Sequence, residues 1–240
     1  MSGRLTKWVC SFILLFVVLN GCAPVKTSAK LTDTREVFAP ERSAPDLKEE
    51  SPQKPVRARY PVRVMFVGDS MVEAVKSHSA TLCEQKGFKC KFLFKRGLRT
   101  DAWSRNIFWG AELVMSIKSF KPDVIILSSG TNDIYNDESA EEIYRDFVSL
   151  IKLIRRVSQR YNHNIPIILI VSPPIPNDRN LNKVLEDKFS NTEGIYVMNS
   201  KSLKLNLRDG IHPDVESSRI WASKIVDLID KSLLDSRRGG

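Results

Sequence analysis

Two short segments near opposite ends of the sequence contain residue types that together can activate a nucleophile. Ser70 ends the segment Gly68-Asp69-Ser70, and His212 lies three residues after Asp209 in Asp209-Gly-Ile-His-Pro-Asp214. A histidine can remove the proton of a serine hydroxyl, while a carboxylate on its other ring nitrogen fixes the tautomer and stabilises the imidazolium. These residues predict acyl chemistry with Ser70 as nucleophile, His212 as general base and Asp209 as the group that orients the base.

The two other histidines of the chain are weaker candidates for the base. His78 lies inside the helix predicted to begin near Ser70, so it points away from the strand ends. His163 lies in a polar loop at the opposite edge of the predicted sheet. We therefore expect both to be ordinary surface side chains, and we expect Asp69 to brace the turn rather than to join the chemistry.

Acyl transfer also needs hydrogen-bond donors for the negative charge that develops on the carbonyl oxygen. Three donors follow predicted strands, namely the backbone N–H of Ser70, the backbone N–H of Gly97 and the side-chain amide of Asn132. An asparagine amide donates without titrating, which suits this role. The alternative for Gly130-Thr-Asn-Asp133 is a turn followed by a helix N-cap, because Asn and Asp favour both.

Alternating apolar strands and amphipathic helices predict the elements that must bring these residues together. Such alternation indicates βαβ units and a parallel sheet of about five strands, an α/β fold. Parallel strands end at one edge of a sheet, where open α/β folds bind their ligands. The predicted strands are 62–67, 88–94, 123–128, 166–171 and 195–198, and the predicted helices are 71–86, 106–119, one starting at the capping box of Ser139 and Glu142, 179–190 and 214–234.

Four of these segments resemble, in chain order, the four sequence blocks of the SGNH (GDSL-type) hydrolase superfamily. The name-giving motif has Leu where this chain has Met71, a change between two flexible apolar side chains. The Gly97 block is matched more by position than by pattern, whereas the other three match closely. The segments are Gly68-Asp69-Ser70, Gly97, Gly130-Thr-Asn132-Asp133 and Asp209-Gly-Ile-His212.

The resemblance covers residues 62–234 and implies a flavodoxin-like three-layer α/β/α sandwich. It also implies a serine ester hydrolase in which Ser70 is nucleophile and donor, Gly97 and Asn132 complete the oxyanion hole, and neither a metal nor a cofactor is required. Competing enzyme classes lack their motifs, since the sequence has no Gly-x-Ser-x-Gly, Gly-rich phosphate loop or Cys-x-x-Cys. Because the base must be neutral, activity is expected to fall below about pH 6–6.5.

The first residues of the chain predict export and lipid attachment. Arg4 and Lys7 precede an apolar run, Val9 to Leu19, that is too short to span a bilayer and fits a secretory signal peptide over residues 1–21. The run ends in Leu19-Asn-Gly-Cys22, which resembles the lipobox of bacterial lipoproteins and predicts acylation of Cys22. The alternative is an uncleaved signal anchor, which would also leave the domain on the far side of the membrane.

Composition divides the remainder into a tether, a domain and a tail. Residues 22–60 are rich in Pro and charge and poor in large apolar residues, which predicts a disordered tether. The hydrolase domain is expected at 61–236 and a frayed tail at 237–240. From residue 61 onward 27 Lys and Arg face 22 Asp and Glu, a net charge of +5. No basic run interleaved with aromatics occurs, so we expect no nucleic acid partner.

Two further predictions concern cysteines and aromatic side chains of the domain. Cys83 and Cys90 are either a disulfide, which an extracytoplasmic site permits, or two small buried residues. Trp103, Phe108 and Trp109 follow the Gly97 loop and either line an acyl or sugar subsite or pack within the second helix. The sequence does not decide either pair of alternatives.

Together these features predict an esterase held in the cell envelope, with its domain periplasmic or extracellular and its N-terminal lipid in the membrane. The expected substrates are O-acetyl or other short acyl esters on envelope polysaccharide or peptidoglycan. Lysophospholipase, thioesterase and O-acyltransferase activities use the same residues and remain alternatives. A binding or scaffold lipoprotein without catalytic activity is the alternative from another functional class.

Overall fold

A computed structural model of the protein describes residues 61–162 and 165–238. The predicted signal peptide, Cys22, the predicted tether and His163 lie outside the described residues. So do the last two residues of the predicted tail.

Five parallel strands form one sheet in the order β2-β1-β3-β4-β5. Strands β3 and β4 are buried at every residue, as expected for central strands that are covered by helices on both faces. Their Val, Ile and Leu side chains suit this position because β-branched residues pack well on a pleated surface. The strands are β1 (Arg63–Gly68), β2 (Lys89–Phe94), β3 (Val124–Ser128), β4 (Ile167–Val171) and β5 (Ile195–Met198).

Seven helices connect and cover the strands in the described part of the chain. Six of them fall into two packing groups: α1 packs against α7, whereas α5 packs against α2, α3 and α6. The two groups cover opposite faces of the sheet, which gives the predicted flavodoxin-like three-layer sandwich. The helices are α1 (Ser70–Gln85), α2 (Ala102–Arg105), α3 (Ile107–Phe120), α4 (Thr131–Tyr135), α5 (Ala140–Asn162), α6 (Leu181–Phe189) and α7 (Val215–Arg238).

The capping box predicted before the long fifth helix is present. The Ser139 N–H donates to Glu142 Oε2 at 2.9 Å, and the Glu142 N–H donates back to Ser139 Oγ at 3.3 Å. Two N–H groups that the first turn leaves without helical partners are thereby satisfied. The apolar stripe of α5 then faces the core, where Phe147 and Ile151 are completely buried.

Two short helices and the end of the last helix are the main differences from the sequence prediction. Helices α2 and α4 lie in segments predicted to be loops, because each is a single helical turn in a segment rich in polar residues. Helix α7 continues to Arg238, four residues beyond its predicted end at 234. Within the described residues, no helix has both the length and the apolar character that crossing a bilayer requires.

Strands β1, β2 and β3 end at the same height in the sheet, next to the predicted site residues. Gly68 pairs with Phe94 at the end of β2 and with Ser128 at the end of β3. The loops that follow β1, β2 and β3 therefore start side by side at the carboxyl edge of the sheet, and the turn before α7 lies at the same edge.

Candidate active site

The turn that carries Ser70 is fixed by the close approach of β1 to the central strand. A Cβ atom at residue 68 would lie only 1.8 Å from the carbonyl oxygen of Ser128, so glycine alone fits there. The Asp69 N–H donates to the same oxygen at 3.2 Å. Ser70 therefore leaves the sheet at a defined point and begins α1.

Asp69 is a completely buried carboxyl group beside Ser70. Its Oδ1 accepts a hydrogen bond from the Met71 N–H at 2.8 Å, which caps α1, and its Oδ2 accepts one from Asn132 Nδ2 at 3.1 Å. Burial raises the pKa of Asp69 from 3.8 to about 7; the Met71 hydrogen bond opposes this shift, and the negative charge of Asp133 adds to it. Asp69 contacts the backbone of the turn and Asn132, as expected for a residue that braces the turn.

Ser70, His212 and Asp209 form one hydrogen-bonded chain across the carboxyl edge. His212 Nε2 lies 2.8 Å from Ser70 Oγ, although 142 residues separate the two in sequence. On the other side of the ring, His212 Nδ1 lies 2.7 Å from Asp209 Oδ2. With the proton on Nδ1, as the carboxylate requires, Nε2 is free to accept the serine proton.

Asp209 is held by the turn that it begins. Its Oδ1 accepts hydrogen bonds from the N–H groups of Ile211 at 3.0 Å and His212 at 2.6 Å. Gly210 has a φ of 78°, a left-handed conformation that glycine adopts without strain. The hydrogen bond from the His212 backbone, followed by that from its ring, holds the pKa of Asp209 well below its usual range. Asp209 is therefore a carboxylate at neutral pH.

Two backbone N–H groups at this edge are available as donors. Ser70 is the first residue of α1, and a first helical residue has no partner for its N–H within the helix. Gly97 follows β2 in a turn with a φ of 75°. Among the described residues, neither N–H donates a hydrogen bond, so both remain free to bind a developing oxyanion.

The Asn132 amide lies at the same edge, with both of its N–H bonds directed at protein atoms. Asn132 Nδ2 donates to Asp69 Oδ2 and to the carbonyl oxygen of Leu98, each at 3.1 Å. A contribution of Asn132 to an oxyanion hole therefore requires one of these N–H groups to be shared with the substrate or released. The role predicted for Asn132 remains a prediction.

The loop between β2 and α2 is tied to the segment after β3 by a buried carboxylate. The Thr100 N–H donates to Asp133 Oδ1 at 2.9 Å, and the Thr100 hydroxyl contacts Asp133 Oδ2 at 3.1 Å and Ser129 Oγ at 2.9 Å. Burial raises the pKa of Asp133, and the hydrogen bonds from Thr100 oppose this shift. Sequence reasoning missed this contact, because Thr100 belongs to no recognisable motif.

Three carboxyl groups near this loop are close enough together to bind a cation. One oxygen from each of Asp133, Glu138 and Asp146 lies within 4.8 Å of the others. Arginines balance two of them, since Arg99 contacts Glu138 at 2.7 Å and Arg105 contacts Asp146 at 2.8 Å. These ion pairs therefore join the loop to the segment before α5, and α2 to α5.

Comparisons of the sequence with known proteins give no match, either to a family model or to a curated protein. Comparisons of the structure do. Est24, a carbohydrate acetylesterase from Sinorhizobium meliloti, is similar with a TM-score of 0.55 and 18% identity, over 71% of this chain and 99% of that protein. The aryl esterase of M. smegmatis is similar with a TM-score of 0.55 and 15% identity over the same shares. The esterase EstA from Pseudoalteromonas gives a TM-score of 0.53 and 13% identity, over 71% and 98%.

This protein has the SGNH hydrolase fold. At these sequence identities the likeness is one of fold, and the residues at the site have to be judged by their own geometry. On the SGNH hydrolase fold of this chain, the structure brings Ser70, Gly97, Asn132, Asp209 and His212 to one edge of the sheet. His78 lies on α1 and has no contact with this group.

The predicted aromatic subsite needs a correction. Trp103 has no exposed surface and packs in the core, so it does not line a substrate subsite. Trp109 is partly exposed, with its ring edge against Trp103 and Lys95 Nζ 5.6 Å from its centre. Phe108, the third aromatic residue of the predicted subsite, is the most exposed of the three, at 82%, where α3 begins at the carboxyl edge.

Cys83 and Cys90 form a disulfide in this SGNH hydrolase fold, with Cα atoms 6.4 Å apart. The bond joins the last turn of α1 to the first residues of β2. It therefore ties an edge strand of the sheet to the helix that begins with Ser70, at the end of that helix away from the candidate site.

Proposed function

We propose that the protein is a serine esterase that works through an acyl-enzyme. The observation that carries this proposal is the hydrogen-bonded chain from Ser70 Oγ to His212 Nε2 and from His212 Nδ1 to Asp209, with distances of 2.8 and 2.7 Å. A serine, a histidine and a carboxylate in this order and at these distances can perform both proton transfers that ester hydrolysis needs.

In the first half-reaction Ser70 Oγ attacks the ester carbonyl carbon while its proton moves to His212 Nε2. The carbonyl oxygen becomes an oxyanion in a tetrahedral intermediate. His212, now an imidazolium stabilised by Asp209, returns that proton to the oxygen of the departing alcohol. The carbon–oxygen bond to the alcohol breaks, and Ser70 is left as an ester of the acyl group.

In the second half-reaction water takes the place of the alcohol. His212 Nε2 accepts a proton from the water as its oxygen attacks the acyl carbon. The second tetrahedral intermediate collapses when the bond to Ser70 Oγ breaks, and His212 returns the proton to that oxygen. The products are a carboxylic acid and the free enzyme.

The free N–H groups of Ser70 and Gly97 are the proposed donors to both oxyanions, with Asn132 as a third. Such donors are effective because they are fixed before the reaction and need no reorganisation during it. Removal of one typically costs about 3 kcal/mol of transition-state stabilisation. A substrate oxyanion would compete with Asp69 and Leu98 for the Asn132 amide, so the two backbone donors are the main support in this proposal.

The proposed substrates are O-acetyl or other short acyl esters on envelope polysaccharide or peptidoglycan. Two considerations support this class. One of the similar folds, Est24, is a carbohydrate acetylesterase. The N-terminal sequence, with its signal-like run and Cys22, supports a location where such polymers are found.

The proposed location is the cell envelope, with the domain anchored through a lipid on Cys22. The support comes from the sequence of residues 1–60, which lie outside the described residues. Labelling of cells with a palmitate analogue, in the wild type and in Cys22→Ala, tests it. Lipid label and membrane association that persist in Cys22→Ala would contradict this anchor.

A second enzymatic candidate is a lysophospholipase or thioesterase acting on longer acyl groups. The observation that favours it is the exposure of two neighbouring apolar side chains where α3 begins, Ile107 at 70% and Phe108 at 82%. A series of p-nitrophenyl esters from acetate to decanoate separates the two candidates. A maximum of kcat/KM at acetate supports the short-acyl proposal, and a maximum beyond octanoate supports the second candidate.

The decisive experiment compares Ser70→Ala with the wild type in the full-length protein, using p-nitrophenyl acetate and a fluorophosphonate probe. We expect kcat to fall by at least about 10³-fold and labelling to disappear, because Ser70 is the proposed attachment point of the acyl group. Ser77→Ala is the matched control, since Ser77 is an exposed serine two turns further along α1.

Turnover retained in Ser70→Ala would remove Ser70 as the nucleophile. A wild-type protein that neither turns over esters nor reacts with the probe would instead favour the binding or scaffold role. Acyl transfer to a sugar acceptor is distinguished by its product, an acylated sugar in place of the free acid.

A further inference from the structure

Hydrogen bonds join the loop of residues 95–101, between β2 and α2, to neighbouring elements at several points along its length. Its first N–H, that of Lys95, donates to the Gly68 carbonyl oxygen at 3.1 Å. The Leu98 carbonyl accepts from Asn132, and Thr100 binds Asp133. Gly97 lies between these contacts with its N–H free, so the position of that donor depends on how its neighbours are held.

Arg96, the residue before Gly97, forms a two-point ion pair with Glu73. Arg96 Nε lies 2.5 Å from Glu73 Oε2, and Arg96 Nη2 lies 2.7 Å from Glu73 Oε1. A guanidinium and a carboxylate that meet through two parallel hydrogen bonds are fixed in orientation as well as in distance.

Glu73 lies in the first turn of α1, three residues after Ser70. The ion pair therefore joins the helical turn that contains one proposed oxyanion donor to the loop that contains the other. Arg96 is one residue away from the Gly97 N–H, and Glu73 is one helical turn away from the Ser70 N–H.

We propose that Glu73 and Arg96 are a positioning pair that sets the separation between the Ser70 and Gly97 N–H groups. The inference rests on the proposed esterase function and adds two residues that do not touch the reacting atoms. The four segments that carry the family resemblance include neither of them.

The electrostatic surroundings keep this pair intact at the pH at which the site would work. Hydrogen bonds from Arg96 lower the pKa of Glu73. Burial, the second-largest effect, opposes this shift, and the charges of Arg96, His212 and Lys76 lower the pKa by smaller amounts. The same hydrogen bonds raise the pKa of Arg96. Both groups are therefore charged near neutral pH.

The solvent exposure of the Arg96 and Glu73 side chains indicates that this ion pair adds little to the stability of the fold. The Arg96 side chain is 76% exposed and that of Glu73 is 31% exposed. Exposed ion pairs contribute little to global stability because water and salt screen them. Loss of the pair should therefore leave the domain folded, whereas a displacement of about 1 Å at a reacting centre can cost up to about 100-fold in rate.

The experiment measures steady-state kinetics on p-nitrophenyl acetate for Glu73→Gln, Arg96→Gln and the double variant of the full-length protein. We expect kcat to fall about 10-fold in each single variant, with KM within about twofold of the wild type, because donors act on the transition state. The double variant should lose no more than either single variant, since both remove one shared interaction.

Two further variants separate geometry from charge and from general surface effects. Arg96→Lys keeps the charge but cannot make the two-point contact, so its kcat should lie near that of Arg96→Gln. Lys86→Gln is the matched control, because Lys86 pairs with Asp230 at 2.5 Å and joins the far end of α1 to α7. Its kcat should stay within about twofold of the wild type.

A kcat within twofold of the wild type in both single variants, or a loss equal to that of Lys86→Gln, would overturn the positioning role. So would the loss of cooperative thermal unfolding in either variant, because the pair would then support the fold rather than the site. If these variants are active while Ser70→Ala is not, the esterase function stands and only the pair is refuted. A wild type without turnover overturns both.

Discussion

Replacement of Asp69 by asparagine tests whether a buried proton next to Ser70 makes the stability of the domain depend on pH. In the folded protein the pKa of this carboxyl is about 7, against 3.8 for the free group. Between these values the folded chain keeps a proton that the unfolded chain has released. Asp69 therefore makes the free energy of unfolding decrease as the pH rises towards 7 and leaves it constant above that.

The size of this effect follows from the two pKa values. Each pH unit between them changes the free energy of unfolding by about 1.36 kcal/mol. From pH 5 to about 7 Asp69 therefore removes about 3 kcal/mol of stability, which corresponds to roughly 6–12 °C in Tm for a domain of this size. Asp69 is completely buried, so solvent does not screen this contribution.

The assay is guanidinium denaturation at pH 5 and pH 8 for the wild type and Asp69→Asn. The wild type should be more stable at pH 5 than at pH 8. In Asp69→Asn the difference in the free energy of unfolding between the two pH values should shrink by about 3 kcal/mol. The amide that this substitution introduces would also direct an N–H at the Asn132 amide, a conflict that costs stability. That cost is the same at both pH values and cancels in the difference.

Asp187→Asn is the matched control, because Asp187 is an exposed carboxylate that pairs with Lys183 on α6. Its difference between pH 5 and pH 8 should equal that of the wild type. If Asp69→Asn also keeps the wild-type difference to within about 0.5 kcal/mol, then Asp69 does not hold the proton and the reasoning is wrong.

Two other substitutions test the geometry of the site. Gly68→Ala would place a Cβ atom 1.8 Å from the Ser128 carbonyl oxygen, a main-chain atom of the central sheet, so the free energy of unfolding should fall by roughly 3 kcal/mol or more. An unchanged denaturation midpoint would contradict the close approach of β1 and β3. Asp209→Asn would set an amide N–H against His212 Nδ1 and favour the tautomer whose Nε2 cannot accept a proton, so kcat for p-nitrophenyl acetate should fall by about 10³–10⁴-fold. A loss below tenfold would show that the carboxylate does not select the tautomer.

The layered fold is predictable from this sequence because apolar periodicity reports burial directly. Residues 195–198 are a strand as predicted, and the ends of β1, β3 and β4 each differ by at most one residue from the prediction. These strands are short apolar runs bounded by polar turns, and local sequence determines such elements well. Their parallel order then follows from the alternation with helices.

Helices α2 and α4 are a different case. Both are single turns in polar segments after a strand, and the residue types there are as common in loops as at helix starts. Contacts with the rest of the molecule stabilise them, as the bond from Thr100 to Asp133 shows beside α2. Such contacts depend on the relative positions of strand ends, which local sequence does not contain.

The same limit applies to the environment of the candidate site. The segments with Ser70 and His212 are recognisable in the sequence. The two hydrogen bonds that the Asn132 amide donates to protein atoms are not, since they depend on how β1, β2 and β3 align. For Trp103 the sequence leaves two alternatives open, because an aromatic residue near a predicted loop has the same sequence pattern whether it is buried or exposed. Its complete burial comes from packing at the start of α3.

The distance along the chain between Ser70 and His212 has a consequence for biosynthesis. The hydroxyl is translated 142 residues before the imidazole that would activate it, and the two meet only after α7 has packed against α1. A nascent chain that ends before His212 lacks the base, and a full-length chain in which α7 is not yet packed contains every reactive group without the ability to use them together. In an esterase of this design, activity would require α7 to be packed against α1, which makes turnover a sensitive probe of that packing.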